Sequence, residues 1–446
     1  MSTVVALSTP RGRGALAVIR LSGPQAIAIA RQMARVDSFE PRVATLVNLR
    51  AGDEVLDQVL LTSFAAPHSL TGEDVVEISC HGSPAIVRRI IDATLGLGAT
   101  LAAPGEFTLR ALSHGKINLA QAEAIRDLIA AQTDAAVKQA ARQLNGELSK
   151  TLDPFKEQLV HVIVPLESAL EFVEDDLPAP QVNQIEEILS SVIAGVDRLG
   201  QSYSAGRLLQ DGARIAITGR PNVGKSSLFN SLVRSERAIV TPVPGTTRDT
   251  LSEAIDLGGV PVLLTDTAGL RETSDSVESL GIERTHRAMG DADLVLLVLD
   301  GASQLGPEDE ELLNRTADTR RLVVMNKSDL PSFQPLARCV SEVEAINVSA
   351  RTGDGLSVLH GAILAKLNST GAENGSLLIT NARHYDLLCS AKRELESALV
   401  CFHDRHSEEL VLAPLHNALR LLGQITGETT TEDILSEIFA TFCIGK

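Results

Sequence analysis

The chain has 446 residues, too many for one ordinary core, so its length implies roughly two to four domains. Hydrophobic residues at 44% and charged residues at 22% describe a soluble globular protein, while a formal net charge of −17 excludes one that coats nucleic acid without specificity. Aromatics are 3% and Trp is absent, which leaves few stacking platforms for single-stranded nucleic acid. The five cysteines, Cys80, Cys339, Cys389, Cys401 and Cys443, are scattered without a C-x-x-C pair. That is the pattern of free thiols in a reducing compartment. Residues 1–20 lack the plan of a signal peptide, and no apolar run is long enough to span a bilayer. A cytoplasmic location without a membrane partner is expected.

From 1 to 118 the pattern is short and mixed. Strands are expected at Ala15–Ile19, Val59–Leu61 and Val75–Ile78, and a helix from Pro84 to Leu97 with Ile86, Ile90, Ile91 and Leu95 on one face. Glycines punctuate these elements, giving an α+β domain suited to a small ligand. His81 beside Cys80 has no partners at metal-site spacing, so a satisfied or exposed His is the ordinary reading. From 119 to 210 apolar residues recur at helical spacing, through Leu144, Leu148, Leu152, Leu159 and Leu166, then Ile185, Leu189, Val192 and Val196. A break is expected at Pro178 and Pro180.

Between 211 and 375 apolar runs alternate with helical segments, the signature of an α/β sheet with largely parallel strands. The runs are Ile215–Ile217, Val262–Leu264, Leu294–Leu299, Leu322–Met325 and Ile346–Val348. Lys366–Gly375 has linker composition, and helical periodicity returns from 376 to 446. The expected architecture is a discontinuous all-α domain with an α/β P-loop domain of Ras-like type inserted between its halves.

Five motifs carry the chemistry. Gly219-Arg220-Pro221-Asn222-Val223-Gly224-Lys225-Ser226 reads G-x-x-x-x-G-K-S between an apolar run and a helical segment. Backbone N–H groups there turn toward phosphates, Lys225 charges the β/γ position, and Ser226 can ligate Mg²⁺. Thr246-Thr247-Arg248-Asp249 lies in a loop beginning near Thr241 and can reach Mg²⁺ and the γ-phosphate. Asp266-Thr267-Ala268-Gly269 puts a carboxylate near the metal and the Gly269 N–H near the γ-phosphate. In Asn326-Lys327-Ser328-Asp329 the final carboxylate is the acceptor for guanine N1–H and the 2-amino group, which adenine cannot satisfy in the same way. Ser349-Ala350-Arg351 touches the base from the other side. All five in order imply guanine-nucleotide binding, with Ser227 and Gly245 completing the contact set. Leu270 stands where many small GTPases have the glutamine that orients water. Arg271, Glu272, Asp275, Glu278 and Glu283 are candidates to replace it, and spacing does not choose among them.

Further runs are Leu70-Thr71-Gly72-Glu73-Asp74, Pro104-Gly105-Glu106-Phe107, Asn118-Leu119-Ala120-Gln121-Ala122-Glu123-Ala124 and the terminal Cys443-Ile444-Gly445-Lys446. With the GRPNVGKSS, PGTTRD, DTAGLRE and NKSD elements, they make the chain resemble the MnmE (TrmE) family of tRNA-modification GTPases over essentially its whole length. The resemblance implies an N-terminal folate-binding and dimerisation domain, with Arg20, Glu77, Lys116 and Lys446 at 5-formyltetrahydrofolate or a related one-carbon folate. It implies K⁺ held by Asn222, Thr241, Val243 and Thr246 in place of an arginine finger, and Mg²⁺ held by Ser226 and Thr247. It matches Glu278 to the water-activating acid and Cys443 to a cysteine implicated in the modification. It also implies a homodimer, an FAD-dependent MnmG-like partner, and tRNA as the substrate modified at C5 of the wobble uridine. Two plainer readings of Cys443 are a prenylation signal, which Gly445 and the final Lys fit poorly, and a buried inert thiol. The rival function is a non-enzymatic GTP-dependent switch in ribosome or RNA assembly, from which the folate-type domain and the terminal C-I-G-K distinguish this chain.

Overall fold

The computed structural model describes residues 2–171, 179–238, 252–266, 290–335, 345–367, 376–428, 435, 438–439, 441–443 and 445. The chain divides into two compact units, Met1–Ile129 with Gln143–Leu152 and Leu422–Lys446, and Ala130–Arg142 with Asp153–Leu421.

The first unit is built on a sheet of β1 (Val4–Leu7), β2 (Leu16–Ser22), β3 (Thr45–Ala51), β4 (Glu54–Phe64), β5 (Val75–His81) and β6 (Thr100–Leu101), in the order β3-β4-β5-β2-β1-β6. Alternating residues of β2, β4 and β5, among them Ile19, Leu21, Leu61 and Ile78, point to one face. Helices α1 (Ala26–Ala34) and α2 (Pro84–Gly96) cover that face with Ile29, Met33 and Ile90. The strands expected at Val59–Leu61 and Val75–Ile78 lie inside β4 and β5, and the one expected at Ala15–Ile19 overlaps β2, which starts one residue later and runs on to Ser22. Their apolar runs are long enough to register, whereas β6 spans two residues and β3 interleaves Asn48 and Arg50 with its apolar positions. Burial pushes the Cys80 thiol up to about 11, which makes it inert. His81 is exposed and sits 2.8 Å from Asp57 through Nδ1. Among the described residues no group of three or more His, Cys, Asp or Glu could hold a metal ion.

Helices α3 (Glu106–Ser113) and α4 (Leu119–Ala130) follow. Arg110 on α3 explains two of the runs picked out in the sequence. Its Nη1 donates to Glu73 Oε2 at 2.9 Å and its Nη2 to Glu106 Oε1 at 2.7 Å, while Ser22 Oγ donates to the same Glu73 oxygen at 2.8 Å. Burial opposes the charge on Arg110, and the two carboxylates outweigh it, holding the guanidinium above its usual range. Asn118 and Gln121 cap α4 reciprocally, each side-chain oxygen accepting the other's backbone N–H at 3.0 and 2.9 Å. Leu119 and Ala122 then pack against Phe439 and Phe442, which brings the end of the chain onto this unit.

Further along are α5 (Asp134–Leu144), α6 (Glu147–Glu171), α7 (Ala179–Gln201) and α8 (Tyr203–Asp211). The break expected around Pro178 and Pro180 separates α6, which ends at Glu171, from α7, which starts at Ala179. Pro178 lies outside the described residues, and Pro180 occupies the first turn of α7, where a missing backbone N–H costs nothing. The sheet of the second unit comprises β7 (Ala213–Thr218), β8 (Arg237–Ala238), β9 (Ser252–Leu257), β10 (Val260–Asp266), β11 (Leu294–Asp300), β12 (Arg321–Asn326) and β13 (Ala345–Asn347). Its order is β13-β12-β11-β7-β10-β9-β8, parallel from β13 to β10 and antiparallel at β9 and β8. Helices α9 (Lys225–Ser235), α10 (Pro307–Arg315) and α11 (Leu356–Lys366) accompany it. Leu294–Leu299 is buried throughout, as a central parallel strand between two layers must be.

After the sheet come α12 (Ala382–His403) and α13 (Glu408–Thr426). Lys392 of α12 lies 2.8 Å from Asp197 of α7, and His403 lies 3.4 Å from Glu186. Tyr203 of α8 stacks on Tyr385 of α12 at 4.4 Å. Helices on either side of the α/β segment therefore form one layer, and the sheet is inserted between them. Among the described residues no helix is long and apolar enough to cross a membrane.

Candidate functional site

The site begins where β7 runs into the loop 219–224 and α9 starts at Lys225. Gly224 has φ of 96°, and a Cβ there would stand 2.2 Å from Asn326 Nδ2, so only glycine fits. The approach has a purpose. Asn326 is buried at the end of β12, donates through Nδ2 to the Val223 carbonyl at 2.9 Å, and accepts the Ala350 N–H on Oδ1 at 3.0 Å. One side chain thus fastens the phosphate loop to the Ser349–Arg351 loop.

Lys225 is buried, and its ammonium donates to the Gly219 and Arg220 carbonyls at 2.8 and 2.7 Å. Next to it, Ser226 Oγ donates to Asp266 Oδ2 at 2.7 Å, with Asp266 fully buried at the end of β10. A hydroxyl and a carboxylate converging at a helix N-terminus form a hard-oxygen set of the kind Mg²⁺ takes. Asn222 is exposed and left-handed, with φ of 64°.

Asp329 lies beyond β12. Its Oδ1 accepts from Ser349 Oγ at 2.7 Å, and Arg351 Nη1 stands 3.8 Å from Oδ2. Lys327 donates to Asp300 Oδ2 at 2.8 Å. Burial pushes the Asp300 carboxyl up, but the hydrogen bonds from Lys327 and the Ala302 amide outweigh it and hold it below the usual carboxylate range. Asp300 was not singled out from the sequence. It ends the Leu294–Leu299 run as Asp266 ends its own strand, and that strand-end position is the signal that could have found it. Ser227 lies on α9 beside Ser226. Thr241, Val243, Gly245, Thr246, Thr247, Thr267, Ala268, Gly269 and Glu278 lie outside the described residues.

In the first unit, Arg20 on β2 and Glu77 on β5 are direct cross-strand partners. Nε and Nη2 of Arg20 both donate to Glu77 Oε1, at 2.9 and 2.7 Å. Arg20 Nη1 also donates to the Gly445 carbonyl at 3.3 Å, which accepts from Ser8 Oγ at 3.0 Å. Nothing in the sequence links positions 425 residues apart. Cys443 is exposed, and its carbonyl accepts the Gly105 N–H at 3.4 Å. Lys116 lies just past α3, its N–H donating to the Ala111 carbonyl at 2.9 Å. Lys446 lies outside the described residues.

A phosphate loop at the end of a central parallel strand, with a strand-end carboxylate beside its serine, defines a P-loop nucleotide-binding domain. The Asn-Lys-x-Asp loop at the end of β12 gives it the layout of a GTPase. Residues 119–443 match the family model described as the MnmE helical domain, and residues 3–116 match that of the GTP-binding protein TrmE N-terminus. The tRNA modification GTPase MnmE of Koribacter versatilis is 43% identical over 452 residues, covering 100% of this chain and 99% of that protein. Its counterpart from Aquifex aeolicus is 42% identical over 446 residues, covering 99% of each. The G domain of the T. maritima FeoB iron transporter is 26% identical, covering 34% of this chain and 98% of that one, with a TM-score of 0.27. The chain belongs to the MnmE family of tRNA modification GTPases.

Proposed function

We propose that this chain hydrolyses GTP to drive modification of the wobble uridine at C5 in certain tRNAs. It would act as a cytoplasmic homodimer with an FAD-dependent MnmG-like partner, using a one-carbon unit from 5-formyltetrahydrofolate for an aminomethyl or carboxymethylaminomethyl group. The observation that supports this most is the docking of the chain terminus on the first unit, where Arg20 binds Glu77 and the Gly445 carbonyl together. It brings the segment bearing Cys443 beside the residues expected at the folate. Glu77 offers a carboxylate to the donor edge of a pterin, and Arg20, Lys116 and Lys446 offer cations to the folate carboxylates.

In the nucleotide site, Lys225 and the loop amides bind the phosphates, Asp329 with Ser349 reads the guanine, and Asn326 holds both loops in register. Ser226 and Thr247 would hold Mg²⁺, with Asp266 beside Ser226. Asn222 would hold K⁺ with oxygens of Thr241, Val243 and Thr246. A bound cation supplies the positive charge that the transition state needs near the β/γ bridge. Glu278 takes the proton of the attacking water in this scheme, since Leu270 has no group able to do so. Hydrolysis is expected to run at least about 10-fold faster in K⁺ than in Na⁺ at equal ionic strength. E278A should lower kcat by roughly 100-fold while GTP affinity stays within about twofold. Equal rates in the two salts would remove the cation role, and a collapse of affinity in E278A would make Glu278 structural.

A further inference from the structure

The hairpin joining β9 to β10 leads directly to the nucleotide site, because β10 ends on Asp266, the acceptor of the Ser226 hydroxyl. Its other end, the turn Gly258–Gly259, is wedged between two helices. A Cβ on Gly258 would stand 2.9 Å from Leu364 of α11, and one on Gly259 would stand 2.9 Å from the Ala135 Cβ of α5. Gly259 has φ of 93° and donates its N–H to Asp256 Oδ1 at 2.7 Å, which fixes the turn.

The decisive contact comes from Thr133, a buried residue just before α5. Its Oγ1 accepts the Ala136 N–H at 3.2 Å as the helix cap. The same hydroxyl donates its single proton to the Gly259 carbonyl at 2.7 Å. Two turns along α5, buried Gln139 donates through Nε2 to the Leu378 carbonyl at 3.0 Å, in the segment that leaves the sheet domain. One short helix therefore grips both the hairpin and the exit of the inserted domain. β9 and β10 pair over six registered positions from Val260–Leu257 to Thr265–Ser252. Asp266 follows directly as the last residue of β10, where it pairs with Ile217 of β7, so one strand runs from the turn that Thr133 holds to the nucleotide site.

We propose that Thr133 is a positioning residue for the nucleotide site: through Gly259 it holds the β9–β10 hairpin, sets where Asp266 stands, and transmits changes there to α5. This rests on the guanine-nucleotide reading of the site. The test is hydrogen exchange on the full chain with GDP and with a slowly hydrolysed GTP analogue, followed at the α5 amides 136–140. Wild type should show different protection in the two states. T133V, which keeps the volume but removes the donor, should lose that difference at nucleotide concentrations that saturate the site. T133S should retain it. Ala135→Val, which crowds the Gly259 backbone and leaves the hydroxyl in place, should reproduce the loss and serves where T133V does not fold. A residue with only a capping role would lower the melting temperature in T133V and leave the nucleotide-dependent difference intact, which overturns the proposal. So would wild type binding both nucleotides with identical α5 protection. Failure of wild type to bind either nucleotide would overturn the guanine-nucleotide reading itself, and the positioning role with it.

Discussion

Asp329→Asn is expected to lower GTP affinity by roughly 100-fold or more and to admit a xanthine nucleotide in its place. Guanine presents two donors on one edge, N1–H and the 2-amino group, and a carboxylate meets both. Asp329 is held for this by Ser349, which donates to Oδ1 at 2.7 Å from a fully buried position. The nearby Arg351 is 83% exposed at its side chain and 3.8 Å away, so solvent screens its share. In the Asn variant an N–H faces the 2-amino group and two donors oppose each other. Xanthine carries an oxygen at that carbon, which the Asn amide satisfies. Calorimetric titration of wild type and D329N with GTP, ATP and XTP decides it. Unchanged GTP affinity in D329N would place base recognition elsewhere.

Arg110→Met should cost about 3–5 kcal/mol of stability in the first unit, because it strands Glu73 and Glu106 without their shared cation. The side-chain exposures are 7% for Arg110, 11% for Glu73 and 23% for Glu106, so water offers little compensation. The triple variant R110M/E73Q/E106Q, with no buried charge, should recover part of the loss. Chemical denaturation measures both effects. A single variant within about 1 kcal/mol of wild type would show that the cluster is solvated and contributes as an exposed ion pair does.

Features carried by a few consecutive residues were legible in the sequence, and those that join distant residues were not. The strands β7, β10, β11 and β12 were legible because a doubly covered parallel strand reads as an uninterrupted apolar run. The antiparallel strands β8 and β9 were not, since β8 spans two residues and β9 interleaves Glu253 and Asp256 with its apolar positions. The phosphate loop and the Asn326–Asp329 segment were legible because each packs its chemistry into a few consecutive residues. The part Asn326 plays was not, because its two hydrogen bonds cross to Val223 and Ala350, far away in the chain. Glu73 and Glu106 appeared as pieces of family-like runs, and only α3 reveals that Arg110 is why they sit together. The link from Arg20 to Gly445 joins the two ends of the molecule and leaves no periodic or compositional trace. Pro180 was legible as a helix boundary because proline is accommodated in the first turn of a helix and not in its interior.

The central claim is that GTP hydrolysis by this chain serves a tRNA modification in which the docked C-terminal segment takes part. Mass spectrometry of tRNA nucleosides from a deletion strain, complemented with wild type or C443S, tests it most directly. The account predicts loss of the C5-modified wobble uridine in the deletion, its return with wild type, and its absence with C443S although GTP hydrolysis is preserved. An unchanged wobble uridine in the deletion strain would contradict it.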